Sequence, residues 1–217
     1  MTASSLYNMV DSAYIGQGVG PMAISGLAVT FPLMNLSTAF GTLVGVGAST
    51  LISVLLGQRN YSVARRVLGN VIIMNCVIGL LFMAVSLLFL DPILYFFGAS
   101  EATIPYAREY MQVVLIGNII THVYFGVNAV LRASGHPRKA MYATILTVAL
   151  NTILDPIFIF VLDMGIRGAA IATVISQLVS LMWQIKIFSN KDEFLHFSKD
   201  MMKFDSRNSK YKTPFGA

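Results

Sequence analysis

From Ser12 to Gln58 the chain carries no charged residue. A helix on the surface of a soluble domain needs a polar stripe facing water, and this stretch has none to offer. Similar charge-free stretches run from Val67 to Leu90, Tyr110 to Leu131, Ala140 to Leu154 and Gly168 to Ile185. Each approaches or exceeds the roughly 20 apolar residues that carry a helix across a hydrocarbon core about 30 Å thick. Strands of a membrane barrel would alternate apolar and polar residues over about ten positions, and these segments do not. Only 12% of residues are charged, against about 25% in soluble domains. The fold class is therefore all-α, a polytopic transmembrane helix bundle.

The net charge of +5 arises from bases gathered at particular places, so it does not point to nucleic acid. Lys and Arg fall at Arg59, Arg65 and Arg66, at Arg132, Arg138 and Lys139, and in the segment from Lys186 to Lys212; Arg108 and Arg167 stand apart. The positive-inside rule makes these three clusters cytoplasmic and the protein a multi-pass component of the cell membrane. The N-terminal segment has no basic n-region and no small-residue cleavage site, which argues against a signal peptide. The single cysteine, Cys76, lies in an apolar run and says nothing about redox compartment.

The spacing predicts six spans, at about residues 1–15, 23–56, 67–90, 106–131, 140–162 and 168–188, forming one lobe over residues 1–188. The first is too short to cross and reads as partial. Gly16, Gly18, Gly20 and Pro21 are expected to end it, and Pro32 to bend the long second span. Gly41 and Gly45 form a small-xxx-small pair that serves close helix packing. Asp91 to Pro105 reads as an external loop, and Asp163 to Arg167 as a short external turn. Residues 189–217 read as a polar cytoplasmic linker or tail.

Only Asp11 and Asp155 place carboxylates within apolar spans, and such a group is a functional hypothesis by default. Each has a polar companion four residues earlier, Tyr7 and Asn151, which shares its helix face. If the two faces meet, the pocket holds two carboxyls that cannot both stay charged and unpaired in low dielectric. One is protonated, or a cation sits between them. The competing reading has Asp155, followed by Pro156, capping a broken helix and Asp11 solvated near the external end. His122, midway along the fourth span, reads as hydrogen-bonded in a helix interface rather than as a proton relay. No metal-ligand spacing, Ser/His/Asp order or phosphate loop occurs, so no enzyme is implied and no cofactor beyond a coupling ion. Twelve methionines and fourteen phenylalanines are core and lipid-facing residues, and would also suit a cavity for amphipathic drugs.

Leu6-Tyr7-Asn8-Met9-Val10-Asp11, Gly45-Val46-Gly47-Ala48-Ser49 with Gly57-Gln58, Arg132-Ala133-Ser134-Gly135-His136-Pro137, Asn151-Thr152-Ile153-Leu154-Asp155-Pro156 and Gly165-Ile166-Arg167-Gly168-Ala169-Ala170-Ile171-Ala172-Thr173 together resemble the multidrug and toxic compound extrusion (MATE) family of cation-coupled antiporters. The family is built of two six-helix lobes, and this chain resembles the N-terminal lobe with its first helix truncated. The resemblance implies efflux of organic, often cationic drugs against Na⁺ or H⁺. It places the cation site on Asp11, Asn151, Asp155 and Thr173, with Tyr7, Tyr110 and Asn128 in the supporting network. It also implies a C-terminal lobe, or a second copy, as the partner without which the chain does not transport. The rival readings are an inactive truncated product, a membrane assembly partner, or a lipid-linked saccharide flippase of related architecture. The acidic pair speaks against the last, because a pyrophosphate headgroup calls for mid-span bases.

Overall fold

The computed structural model describes residues 2–189 and Leu195, with side chains described for Met9 and from Asp11 onward; the expected tail otherwise lies outside the described residues. Among the described residues eight α-helices follow in order: α1 (Thr2–Gly18), α2 (Pro21–Gly57), α3 (Tyr61–Leu88), α4 (Leu90–Phe96), α5 (Ile104–Ile116), α6 (Asn118–Ala133), α7 (Pro137–Pro156) and α8 (Gly165–Ser189). A π-helical stretch, Ile157–Val161, continues α7. α2, α3, α7 with its extension, and α8 are each long and apolar enough to cross a membrane. The bent pair α5 and α6 brings these to five when counted as one span, and α1, at 17 residues, is too short to add a sixth, so the six expected spans are matched only approximately.

Local chemistry sets the boundaries. Pro21 opens α2 and Pro137 opens α7, in the first turn, where a missing N–H costs no helical hydrogen bond. Gly20, with φ of 115°, makes the reversal between α1 and α2 that a residue with a Cβ resists. The Asn60 side chain caps α3 by accepting from the Val63 N–H. α2 runs unbroken through Pro32 over 37 residues, about 55 Å at 1.5 Å per residue.

Four expectations need correction. α1 does not stop at Ile15 but continues through Gly16 to Gly18, because Gly16 lets the Ile24 side chain approach and Gly18 does the same for Ile159 and Phe160. The fourth span is not one rod. It turns by 56° between Ile116 and Asn118, where a Cβ on Gly117 would collide with the Val174 side chain of α8. The stretch read as an external loop holds α4, with Asp91 in its first turn; Asp91 also takes a two-pronged ion pair from Arg108. The turn expected at Asp163 to Arg167 is shorter, since α8 begins at Gly165.

Large apolar side chains cover the outside, among them Leu43, Leu81 and Leu88, as a hydrocarbon solvent requires. Inside, two apolar clusters occupy opposite ends. One gathers Ile52, Leu68, Val130 and Phe188, and also receives Leu195. The other gathers Leu27, Leu94, Leu115 and Ile166. Between them each of α2, α6, α7 and α8 turns polar: Ser37, then Asn118 and His122, then Thr147, Asn151 and Asp155, then Thr173, Gln177 and Ser180, all buried. These polar residues lie between the two apolar clusters.

Candidate cation site

The acidic part of this polar group forms where α1 packs on α7 and α8. On α7, Ala143, Thr147, Asn151 and Asp155 recur every four residues and form one inward column. Pro156 follows, and its lack of an N–H and clash with the preceding turn coincide with the switch to π geometry. Such bulges recur at functional sites. Asp155 is fully buried inside the helix rather than at its cap, and Asp11 is 1% exposed. Burial therefore removes the reading in which one carboxyl is a cap and the other is solvated.

The structure brings all four expected side chains together. Asn151 Nδ2 donates to Asp155 Oδ1 at 3.1 Å and to Thr173 Oγ1 at 3.4 Å. The Thr173 hydroxyl donates to the Ala169 carbonyl at 3.0 Å, so its lone pairs remain turned toward Asn151. Asp11 and Asp155 are both buried where α1 packs on α7. Among the described residues nothing donates to Asp11 Oδ1 or Oδ2, Asp155 Oδ2 or Asn151 Oδ1. Four acceptor oxygens thus lie buried without a donor among the described residues, and an unpaired buried charge costs several kcal/mol. A proton shared by the carboxyls, or a small hard cation ligated by these oxygens, would supply what is missing. Among the described residues no three His, Cys, Asp or Glu side chains converge as a metal cluster, and two carboxyls with an amide and a hydroxyl suit a monovalent ion better than a transition metal.

The supporting residues divide. Tyr110 is buried in the apolar cluster of α5. Tyr7 lies on α1, four residues before Asp11, and its side chain is outside the described residues. Asn128 stands apart: its amide donates to the Ala140 carbonyl, eleven residues and about 16 Å along α7 from Asn151. It ties α6 to α7 and does not belong to the cation cluster.

Several polar residues went unrecognised in the sequence. The Ser37 hydroxyl donates to Asn118 Oδ1 at 2.5 Å and meets His122 Nε2 at 3.1 Å, so His122 is an interface residue as expected. Asn118 Nδ2 donates to the Gly79 carbonyl, which joins α2, α3 and α6 next to the bend. Thr121 donates to Gln177, and Thr147 to Ser180 at 2.7 Å. A small cavity lies between Ser37, Asn118, Thr121, Gln177 and Thr173, so Thr173 borders both the acid cluster and the bend. The available signal was polar residues three or four apart within apolar runs. Gly41 and Gly45, read as a packing pair, do serve this seam: Gly41 abuts His122 and Gly45 abuts Gly126.

Comparison with known proteins settles the family. The MatE family model matches residues 1–157. The chain belongs to the MatE family. The MatE chain is 33% identical over 195 residues to the multidrug export protein MepA of Staphylococcus haemolyticus, covering 90% of itself and 43% of that protein. With MepA of Staphylococcus aureus (strain NCTC 8325) it shares 32% over 190 residues, 88% and 42% of the two chains. Its fold matches a crystal structure of MATE in the bent conformation with a TM-score of 0.86 at 30% identity, over 91% of this chain and 44% of that one. It also matches a MOP superfamily transporter from Pyrococcus furiosus, with a TM-score of 0.84 at 30% identity, over 92% and 44%. The MatE chain thus spans less than half the length of the relatives it matches. It is a multi-pass, all-helical membrane protein of a transporter family.

Proposed function

We propose that this chain is the cation-binding N-terminal lobe of a multidrug efflux antiporter, residues 1–188 forming the lobe and residues 189–217 a cytoplasmic linker. The observation that carries the reading is the set of four buried oxygens on Asp11, Asn151 and Asp155 that receive no donor among the described residues, with Thr173 beside Asn151. Four oxygens without donors in the middle of a membrane lobe cost stability and gain purpose only if a cation comes and goes. Na⁺ or H⁺ entering between Asp11 and Asp155 draws α1 toward α7 and α8. Its departure returns the repulsion between the carboxyls to the α1 seam, and that alternation is what a rocking transporter needs. The substrate is an amphipathic organic drug; that it is a drug is supported by the name of MepA, a multidrug export protein. Transport requires a second lobe, supplied by the remainder of a longer chain or by another copy, because alternating access needs two bundles around one cavity.

The test is binding of radiolabelled Na⁺, with proton uptake followed in parallel, by the purified chain and its Asp155→Asn variant. The expected result is binding of one of the two cations, lost in Asp155→Asn. Retention of both in Asp155→Asn and in Asp11→Asn defeats the reading. Drug efflux by this chain alone in an efflux-deficient host would defeat the requirement for a second lobe.

A further inference from the structure

We propose a binding site for the phosphate of an anionic phospholipid headgroup between α2 and α6, at the end of the lobe that carries the basic loops. A cavity of about 400 Å³ opens there, lined by Val46, Ser49, Thr50, Ser53, Ala129 and Arg132, with Ala133 at its edge. This is the size of a small-molecule pocket.

The donors decide what it takes. Ser49 gives its hydroxyl proton to the carbonyls of Gly45 and Ala129, fastening α2 to α6, and Ser53 gives its own to the Ser49 carbonyl. Those two hydroxyls form the wall and have no proton left for a ligand. The exposed Arg132 guanidinium and the exposed Thr50 hydroxyl have no hydrogen-bond or ion-pair partner among the described residues. A guanidinium offers a planar fork of N–H donors that matches two phosphate oxygens. Among the described residues no carboxylate competes for it: this end holds every described Lys and Arg except Arg108 and Arg167, and no described Asp or Glu.

The apolar half of the site argues for a lipid rather than a free anion. Val46 and Ala129 line the pocket below the donors. The same side of α2 continues as an exposed apolar column through Val46 and Leu43, 59% and 67% exposed, toward Phe40. A phosphate held by Arg132 and Thr50 therefore places its ester-linked chain along a surface that water cannot cover favourably. Basic pockets between helices at this membrane face are known sites for acidic headgroups. The inference does not rest on the cation reading, and either stands if the other fails.

Native mass spectrometry of the purified full chain tests it, comparing retention of phosphatidylglycerol with phosphatidylcholine. The expected result is preferential retention of phosphatidylglycerol. Arg132→Gln should reduce that retention roughly tenfold or more, as loss of a charge-assisted, two-pronged contact does. Arg138→Gln, which removes an equal charge outside the pocket, should cost at most about fivefold. Thr50→Phe fills the pocket from an exposed position without changing charge, and should also lower retention; it carries the test if Arg132→Gln does not fold. Equal losses in the two arginine variants with none in Thr50→Phe would overturn the site in favour of diffuse attraction. Displacement of the lipid by millimolar inorganic phosphate would overturn the lipid in favour of a free anion, and indifference between the two lipids would overturn both.

Discussion

Replacing Asp11 by Asn should stabilise the chain in the absence of Na⁺ and abolish any stabilisation by Na⁺. At alkaline pH with choline as the only cation, Asp11 and Asp155 face each other with three oxygens lacking a donor. An Asn amide at position 11 removes one charge and offers an N–H donor to Asp155 Oδ2. A hydrogen bond to a charged group contributes about 1.5–3 kcal/mol, which at roughly 2–4 °C per kcal/mol for a chain of this size raises the unfolding temperature by about 3–12 °C. The unsubstituted chain should instead gain on addition of Na⁺, by about 2.7 kcal/mol at a hundredfold excess over its dissociation constant. The two therefore converge as Na⁺ rises. Thermal unfolding in detergent, followed by fluorescence of the one tryptophan, Trp183, reads both effects. A gain on acidification in place of Na⁺, likewise lost in the variant, identifies the proton as the occupant. A lower unfolding temperature for Asp11→Asn in choline, or equal gains from Na⁺ in the two proteins, would refute the argument.

Ser37→Ala should cost about 1–3 kcal/mol, because it strips a buried His122 Nε2 and Asn118 Oδ1 of their shared partner at once; urea titration monitored by circular dichroism measures it. Gly117→Leu should destabilise by roughly 1–3 kcal/mol through overpacking against Val174, and the same denaturation assay should show partial recovery in a double variant with Val174→Ala. A cysteine replacing the exposed Arg138 in a Cys76→Ala background should be shielded from an impermeant maleimide in intact cells. Labelling from outside would reverse the proposed orientation.

Hydropathy is a property of each residue in turn, and so the membrane class, the approximate spans and the isolation of two carboxyls in apolar surroundings were all legible along the chain. Helical periodicity added the pairing of Asn151 with Asp155, since i and i+4 share a face whatever the tertiary context. The sequence alone also showed Gly41 and Gly45 spaced for close packing. What it could not determine is which face meets which. That Asp11 on α1 reaches Asp155 on α7 depends on two helices separated by more than a hundred residues, and on the packing of α1 into the groove of α7 and α8. The same holds for the bend at Gly117, whose cause is the Val174 side chain of another helix. Asn128 has a suitable side chain for the network, but its register on α6 aims it at Ala140, turns away from the acids. Composition along the chain decides which solvent each segment accepts, whereas the meeting of side chains is decided by interhelical packing, and the acidic cluster forms only at that second level.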